Sequence, residues 1–153
     1  AVMGAGGAVL AGRAQAKGAR YAADRQTHAL HEQWMRERLR DSSVEFLRLG
    51  RKILGLCDDH RLAADAADRQ LLQRQLAESF AALEETLDVV SVEGDEDVWT
   101  TASVAHLEVA RLQRAANAAS DSDYVEVRVK AIESLADFRD VASQAFRRPG
   151  SLP

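Results

Sequence analysis

Cysteine occurs once, at Cys57, and proline only twice, at Pro149 and Pro153, in a chain of 153 residues. A lone thiol excludes an intramolecular disulfide and fits a reducing compartment. Prolines confined to the tail leave the body without helix breakers. No Walker loop, dinucleotide fingerprint, Ser-His-Asp arrangement, CxxC pair or internal repeat is present, which removes the common nucleotide-binding, hydrolytic and redox classes. Long apolar runs are missing too. The longest, Ala1 to Gly12, is too short to cross about 30 Å of hydrocarbon at about 1.5 Å per residue, so it predicts the remnant of a membrane anchor rather than a whole span.

What is present is helix-forming. Ala, Leu, Arg, Glu, Asp and Gln crowd the body, and the chain is of a size that buries a core without disulfides or metals. Charge is divided unevenly. Residues 1 to 40 hold seven Lys/Arg against three Asp/Glu, and residues 41 to 153 hold thirteen against twenty-one. The front is therefore basic and the rest acidic, which argues against a nucleic-acid binder, since phosphate recognition needs clustered cations on the folded body. Arg13, Lys17, Arg20 and Arg25 follow the apolar run directly. They sit where the positive-inside rule puts cytoplasmic charge and where anionic lipid headgroups attract it. The chain opens on Ala1-Val2 rather than Met, which suggests that residues precede Ala1. Gly4, Ala8 and Gly12 recur at i, i+4 and i+8, a small-residue face that lets two helices approach closely. A plain alanine-rich soluble helix is the other reading, and Ala14-Gln15-Ala16 has the form of a signal-peptide cleavage site, although Arg13 interrupts it.

Beyond residue 33 the helical period sharpens. From Trp34 onward, Met35, Leu39, Phe46, Ile53 and Cys57 form one stripe, widened by Val44, Leu47 and Leu54, with Asp58-Asp59-His60-Arg61 as the end of that helix. A second helix over about 64 to 90 carries Leu72, Leu76, Phe80, Leu83, Leu87 and Val90. The β-branched stretch 89 to 92 and Gly94 predict a stop and a short extended connection, with Asp95 or Asp97 capping a third helix. That helix has a small-residue seam, Val98, Ala102, Ala105, Val109, Leu112, Ala116 and Ala119. Ser120 to Asp123 reads as a loop, with Asp123 and Glu126 as a capping box. Val125, Val129, Ile132, Leu135 or Ala136, Ala142 and Phe146 then predict the buried face of a fourth helix, ended by Arg147-Arg148-Pro149-Gly150.

The expected fold is all-α: an antiparallel four-helix bundle over residues 34 to 148, a long N-terminal helical extension over 1 to 33, and a tail over 149 to 153. The extension has no partner in its own molecule, so it must pair with other copies, enter lipid or fray.

Several constellations carry a chemical reading beside a plain one. Asp24, His28 and His31 share a helix face, and His31-Glu32-Gln33-Trp34-Met35 begins like a zinc-protease helix, but Met35 stands where the second histidine belongs, so these read as solvated polar residues. Glu93, Asp95, Glu96 and Asp97 lack the ordered spacing of a calcium loop and read as capping carboxylates. Cys57 and His60 resemble a nucleophile and base without an orienting third residue. Trp34 and Trp99 read as core anchors, with a ligand pocket in the bundle as the alternative. No cofactor, metal or catalytic residue is expected.

The Gly-rich lead, Gln33-Trp34-Met35-Arg36-Glu37-Arg38 through Val44-Glu45-Phe46-Leu47, and Val92-Glu93-Gly94-Asp95-Glu96-Asp97-Val98-Trp99-Thr100-Thr101-Ala102 together resemble a broad group of uncharacterised actinobacterial proteins. The resemblance implies one amino-terminal membrane helix and a cytoplasmic helical body, and brings no activity or site residue with it. Relatives carry proline where this chain has Asp95. The functional expectation is a non-enzymatic, membrane-tethered module on the cytoplasmic face of the cell membrane, homo-oligomeric through its N-terminal helix, with a protein partner on its acidic bundle. The alternatives are a structural subunit of a larger assembly, such as a phage, plasmid-transfer or injection apparatus, and a ligand-sensing bundle.

Overall fold

The structure, a computed structural model, describes residues 5 to 118 and 120 to 147, with side chains described at Gln15 and from Gly18 onward. All of its regular structure is helical. Helices α1 (Ala5–Leu62), α2 (Ala66–Glu93), α3 (Glu96–Ala118) and α4 (Asp121–Arg147) follow one another through connections of two or three residues. The chain divides into two compact units between Arg36 and Glu37.

In the second unit the pairings run in opposite directions along each pair of neighbours. On α1 and α4, Phe46 meets Phe138 and Asp58 meets Arg128. On α1 and α2, Arg38 meets Glu93, at the far end from the connection after Leu62. Glu84 of α2 faces His106 of α3. The second unit is thus an antiparallel four-helix bundle of the expected all-α class.

Helices α2, α3 and α4 each start where a side chain satisfies a free amide. Asp65 caps α2 by accepting from Ala67 N at 2.6 Å. Asp95 caps α3 by accepting from Val98 N at 2.9 Å, as one of the two predicted caps. Gly94 is extended and ends α2. A Cβ there would fall 2.8 Å from the Val90 carbonyl oxygen, so the two-residue connection is built around the missing side chain. The valines at 89, 90 and 92 do not stop α2 as expected, because Val90 is fully buried and its packing outweighs its weak helix propensity.

The predicted α3 seam is buried throughout its described length, from Val98 to Ala116; Ala119 lies outside the described residues. Leu39, Phe46, Ile53, Leu54 and Cys57 of α1 and Leu76, Leu83 and Val90 of α2 are buried as expected, while Leu72, Phe80 and Leu87 are half-buried. Gly50 lets α1 lie close to α4, since a Cβ there would stand 2.7 Å from Leu135 Cδ2.

Three further expectations fail. Trp34, Trp99 and Val44 are not core residues; the tryptophans stay 49% and 41% exposed. Asp123 does not cap α4, because the helix already begins at Asp121 and Ser120 takes the capping role, its Oγ accepting from Asp123 N. Of the predicted α4 face, Leu135 and Ala142 are buried as expected and Phe146 is half-buried, but its first half is rotated. Tyr124, Ala131, Leu135, Phe138 and Ala142 are buried, whereas Val125, Val129 and Ile132 face outward. The physical reason is size. A face holding Phe138 edge-on to Phe46, at 4.9 Å between ring centroids, removes more apolar area from water than a face of valines.

Candidate functional site

The densest polar cluster lies where the C-terminal end of α1 meets the start of α4. Arg128 donates to Asp58 through Nε, at 2.9 and 3.1 Å, and through Nη2 at 2.8 Å. The Tyr124 hydroxyl donates to the same carboxylate at 2.8 Å. Arg61 lays its guanidinium over the Tyr124 ring, 4.5 Å from the centroid, and pairs with Asp121. Its other terminal nitrogen donates to the Ala115 carbonyl of α3 at 3.5 Å. Helical spacing makes this possible: Asp58 and Arg61 are three apart on α1, and Tyr124 and Arg128 four apart on α4.

Electrostatics follow from this geometry. Burial pulls the Asp58 carboxyl upward, but the hydrogen bonds from Arg128 and Tyr124, with the arginine's charge, outweigh it and hold the group below the usual aspartate range. Burial, reinforced by the bond to Asp58, pushes the Tyr124 phenol far above its ordinary value. A carboxylate with both oxygens engaged by cation and phenol is a clamp between helices rather than a general base.

Cys57 and His60 border this clamp in sequence. Cys57 is fully buried, and burial followed by the neighbouring Asp58 charge pushes its thiol up to about 12. His60 is buried with neither ring nitrogen hydrogen-bonded, so no bond links it to the thiol. The thiolate needed for nucleophilic attack is therefore disfavoured by its own surroundings.

The other predicted residues are dispersed. Gly4 lies outside the described residues; Ala8, Gly12, Arg13 and Lys17 belong to the helical run after it or its continuation, with only their backbone described. Arg20 and Arg25 are exposed, and Arg25 rests over the Tyr21 ring at 5.1 Å. Asp24, His28 and His31 are exposed, and His31 stacks on Trp34 at 6.1 Å. Among the described residues no three ligating side chains converge to hold a metal. Of the acidic quartet, Asp95 caps α3, and Asp95, Glu96 and Asp97 line an open cleft of about 240 Å³ against Val141, Gln144 and Ala145. Glu93 turns inward to Arg38, at 2.6 Å, and burial raises its carboxyl against the pull of that arginine.

Sequence reasoning placed Asp58 and Arg61 in a helix end and gave Tyr124 and Arg128 no role. The available signal was weak: an acid and a cation on neighbouring turns of helices that the four-helix topology makes adjacent. Among the described residues no helix is long and apolar enough to cross a membrane. Compared with family models, curated proteins and solved structures, the chain matches none.

Proposed function

We propose that the protein is a non-enzymatic, membrane-tethered helical module that self-associates through its N-terminal helix and presents its acidic bundle to a protein partner. The observation that carries this reading is the run from Gly18 to Trp34, in which every residue is exposed, including the apolar Tyr21, Leu30 and Trp34. Helix without a buried face draws little stability from its own molecule and gains it from lipid or sister chains. Gly4, Ala8 and Gly12 supply the close-approach face, and Arg13, Lys17, Arg20 and Arg25 supply the cations that meet anionic headgroups on the cytoplasmic face. The apolar run alone is too short to cross a bilayer, and the proposal gives it the role of an anchor at the membrane surface.

Co-sedimentation of the full chain with phosphatidylserine-containing vesicles tests the proposal. Binding should fall with salt and on replacing Arg13, Lys17, Arg20 and Arg25 by Gln, and should be absent with phosphatidylcholine alone. Equal recovery in the supernatant with and without anionic vesicles would remove the tether.

The same exposed run also favours a second reading, a structural subunit of a larger assembly in which the N-terminal helices of neighbouring copies pack together. Light-scattering mass separates the two. A fixed high-order ring or fibre without lipid supports the assembly, and a lipid-dependent monomer or dimer supports the tether.

A further inference from the structure

The outward rotation of α4 leaves a track. Val125, Val129 and Ile132 stand 58%, 46% and 41% exposed at i, i+4 and i+7, and Ala136 continues them at i+11. At about 1.5 Å per residue the track is about 16 Å long, some three helical turns. Beside its upper half a cleft of about 150 Å³ opens between α1 and α4, floored by Leu54, Leu135 and Ile132 and walled by Arg51 of α1 and Arg139 of α4. Apolar residues at this spacing with a groove alongside are the surface onto which a helix lays its own apolar face.

The charges select which helix. Arg51 is exposed and makes no ion pair among the described residues, and Arg139 is engaged only with Asp140, the next residue on its own helix. Residues 41 to 153 carry a clear excess of Asp and Glu, and Glu133 and Asp137 follow Ile132 and Ala136 on one flank of the track, so the arginines that wall the cleft give its other flank the opposite sign. They repel the chain's own basic segment before residue 41, which disfavours a neighbouring copy's N-terminal helix as the occupant.

We infer that the α1/α4 groove is the docking site of a partner helix whose apolar stripe is flanked by carboxylates, the apolar side chains covering Val125, Val129 and Ile132 and the carboxylates reaching Arg51 and Arg139. The inference rests on the reading that the bundle engages a protein, and it names the place and the partner's chemistry. Vesicle binding does not bear on it, so its failure and that of the tether are read separately.

The test uses the full chain and a fluorescein-labelled designed helix of about five turns, Leu and Ala on one face and Glu along the flank that meets Arg51 and Arg139, with a counterpart carrying Lys on that flank. Anisotropy should show saturable binding of the Glu peptide, at least about tenfold weakening in R51E/R139E, and a similar loss in Ile132→Asp or Val125→Asp. All of these positions are exposed, and unchanged circular dichroism and urea midpoints confirm that the variants fold. Methyl NMR shifts should fall on Val125, Val129, Ile132 and Leu54. No saturable binding, equal binding of the Lys peptide, or shifts on another face would overturn the proposal. So would a fall in the mass of the chain in Ile132→Asp, which would make a second copy the occupant.

Discussion

Arg128 holds Asp58 through two nitrogens, joining α4 to α1 across 70 residues of chain, with the Tyr124 hydroxyl on the same carboxylate. Asp58→Ala removes the acceptor shared by two residues, Arg128 and Tyr124, and should cost about 2 to 3 kcal/mol, the range for hydrogen bonds to a charged group. Tyr124→Phe keeps the ring under Arg61 and should cost only about 1 kcal/mol. Urea denaturation of the two variants measures both. Equal, negligible losses would mean that the clamp adds nothing to the fold.

The pH response carries two opposite signs. Asp58 is held below its ordinary value in the folded chain, so its contribution is complete above the ordinary aspartate range and is lost as pH falls through the lower folded value. Glu93 is raised in the folded chain, chiefly by burial, so its contribution is complete below the ordinary glutamate value and is lost as pH rises through the raised one. Relative to Asp58→Asn, the parent should lose its advantage as pH falls below the ordinary aspartate range of about 4, and relative to Glu93→Gln it should lose ground as pH rises above the ordinary glutamate value. Urea midpoints across this range check both slopes.

Cys57 is sealed and its thiol stands near 12, so Ellman's reagent at pH 8 should label it only as fast as the protein opens. Labelling at the rate of a free thiol in native buffer would contradict the burial and reopen the nucleophile reading.

Two glycines of α1 should respond differently to alanine. At Gly55 an added Cβ meets nothing within 4 Å, so Gly55→Ala should gain about 1 kcal/mol from helix propensity. At Gly50 the same Cβ falls 2.7 Å from a buried Leu135 methyl, and the cost of moving that side chain offsets the gain. The two melting temperatures should therefore move apart, with Gly55→Ala the higher.

Much of the fold was legible, and the reasons are local. The α3 seam repeats small and branched apolar residues at steps of four and three with no competing stripe, so only one face could be inside. α4 offers two faces: valines at 125, 127 and 129 point to different sides, and choosing between the stripes needs the knowledge that Phe46 waits on α1 for Phe138. The tryptophans misled because size was taken for burial. The Asp58 clamp was illegible for another reason. Its members are single polar residues on separate helices, and no periodicity marks a pair that only tertiary adjacency creates. The proposed tether, by contrast, stands on composition and charge, which sequence displays openly.

A wholly buried face has a kinetic meaning for α3. Its inward face is made of Val98, Ala102, Ala105, Val109 and Leu112, each wholly shielded from water, and small side chains let the neighbouring backbones crowd it. Amides on that inward face should exchange mainly when the bundle unfolds, so their deuterium uptake should serve as an internal clock against which faster segments are timed.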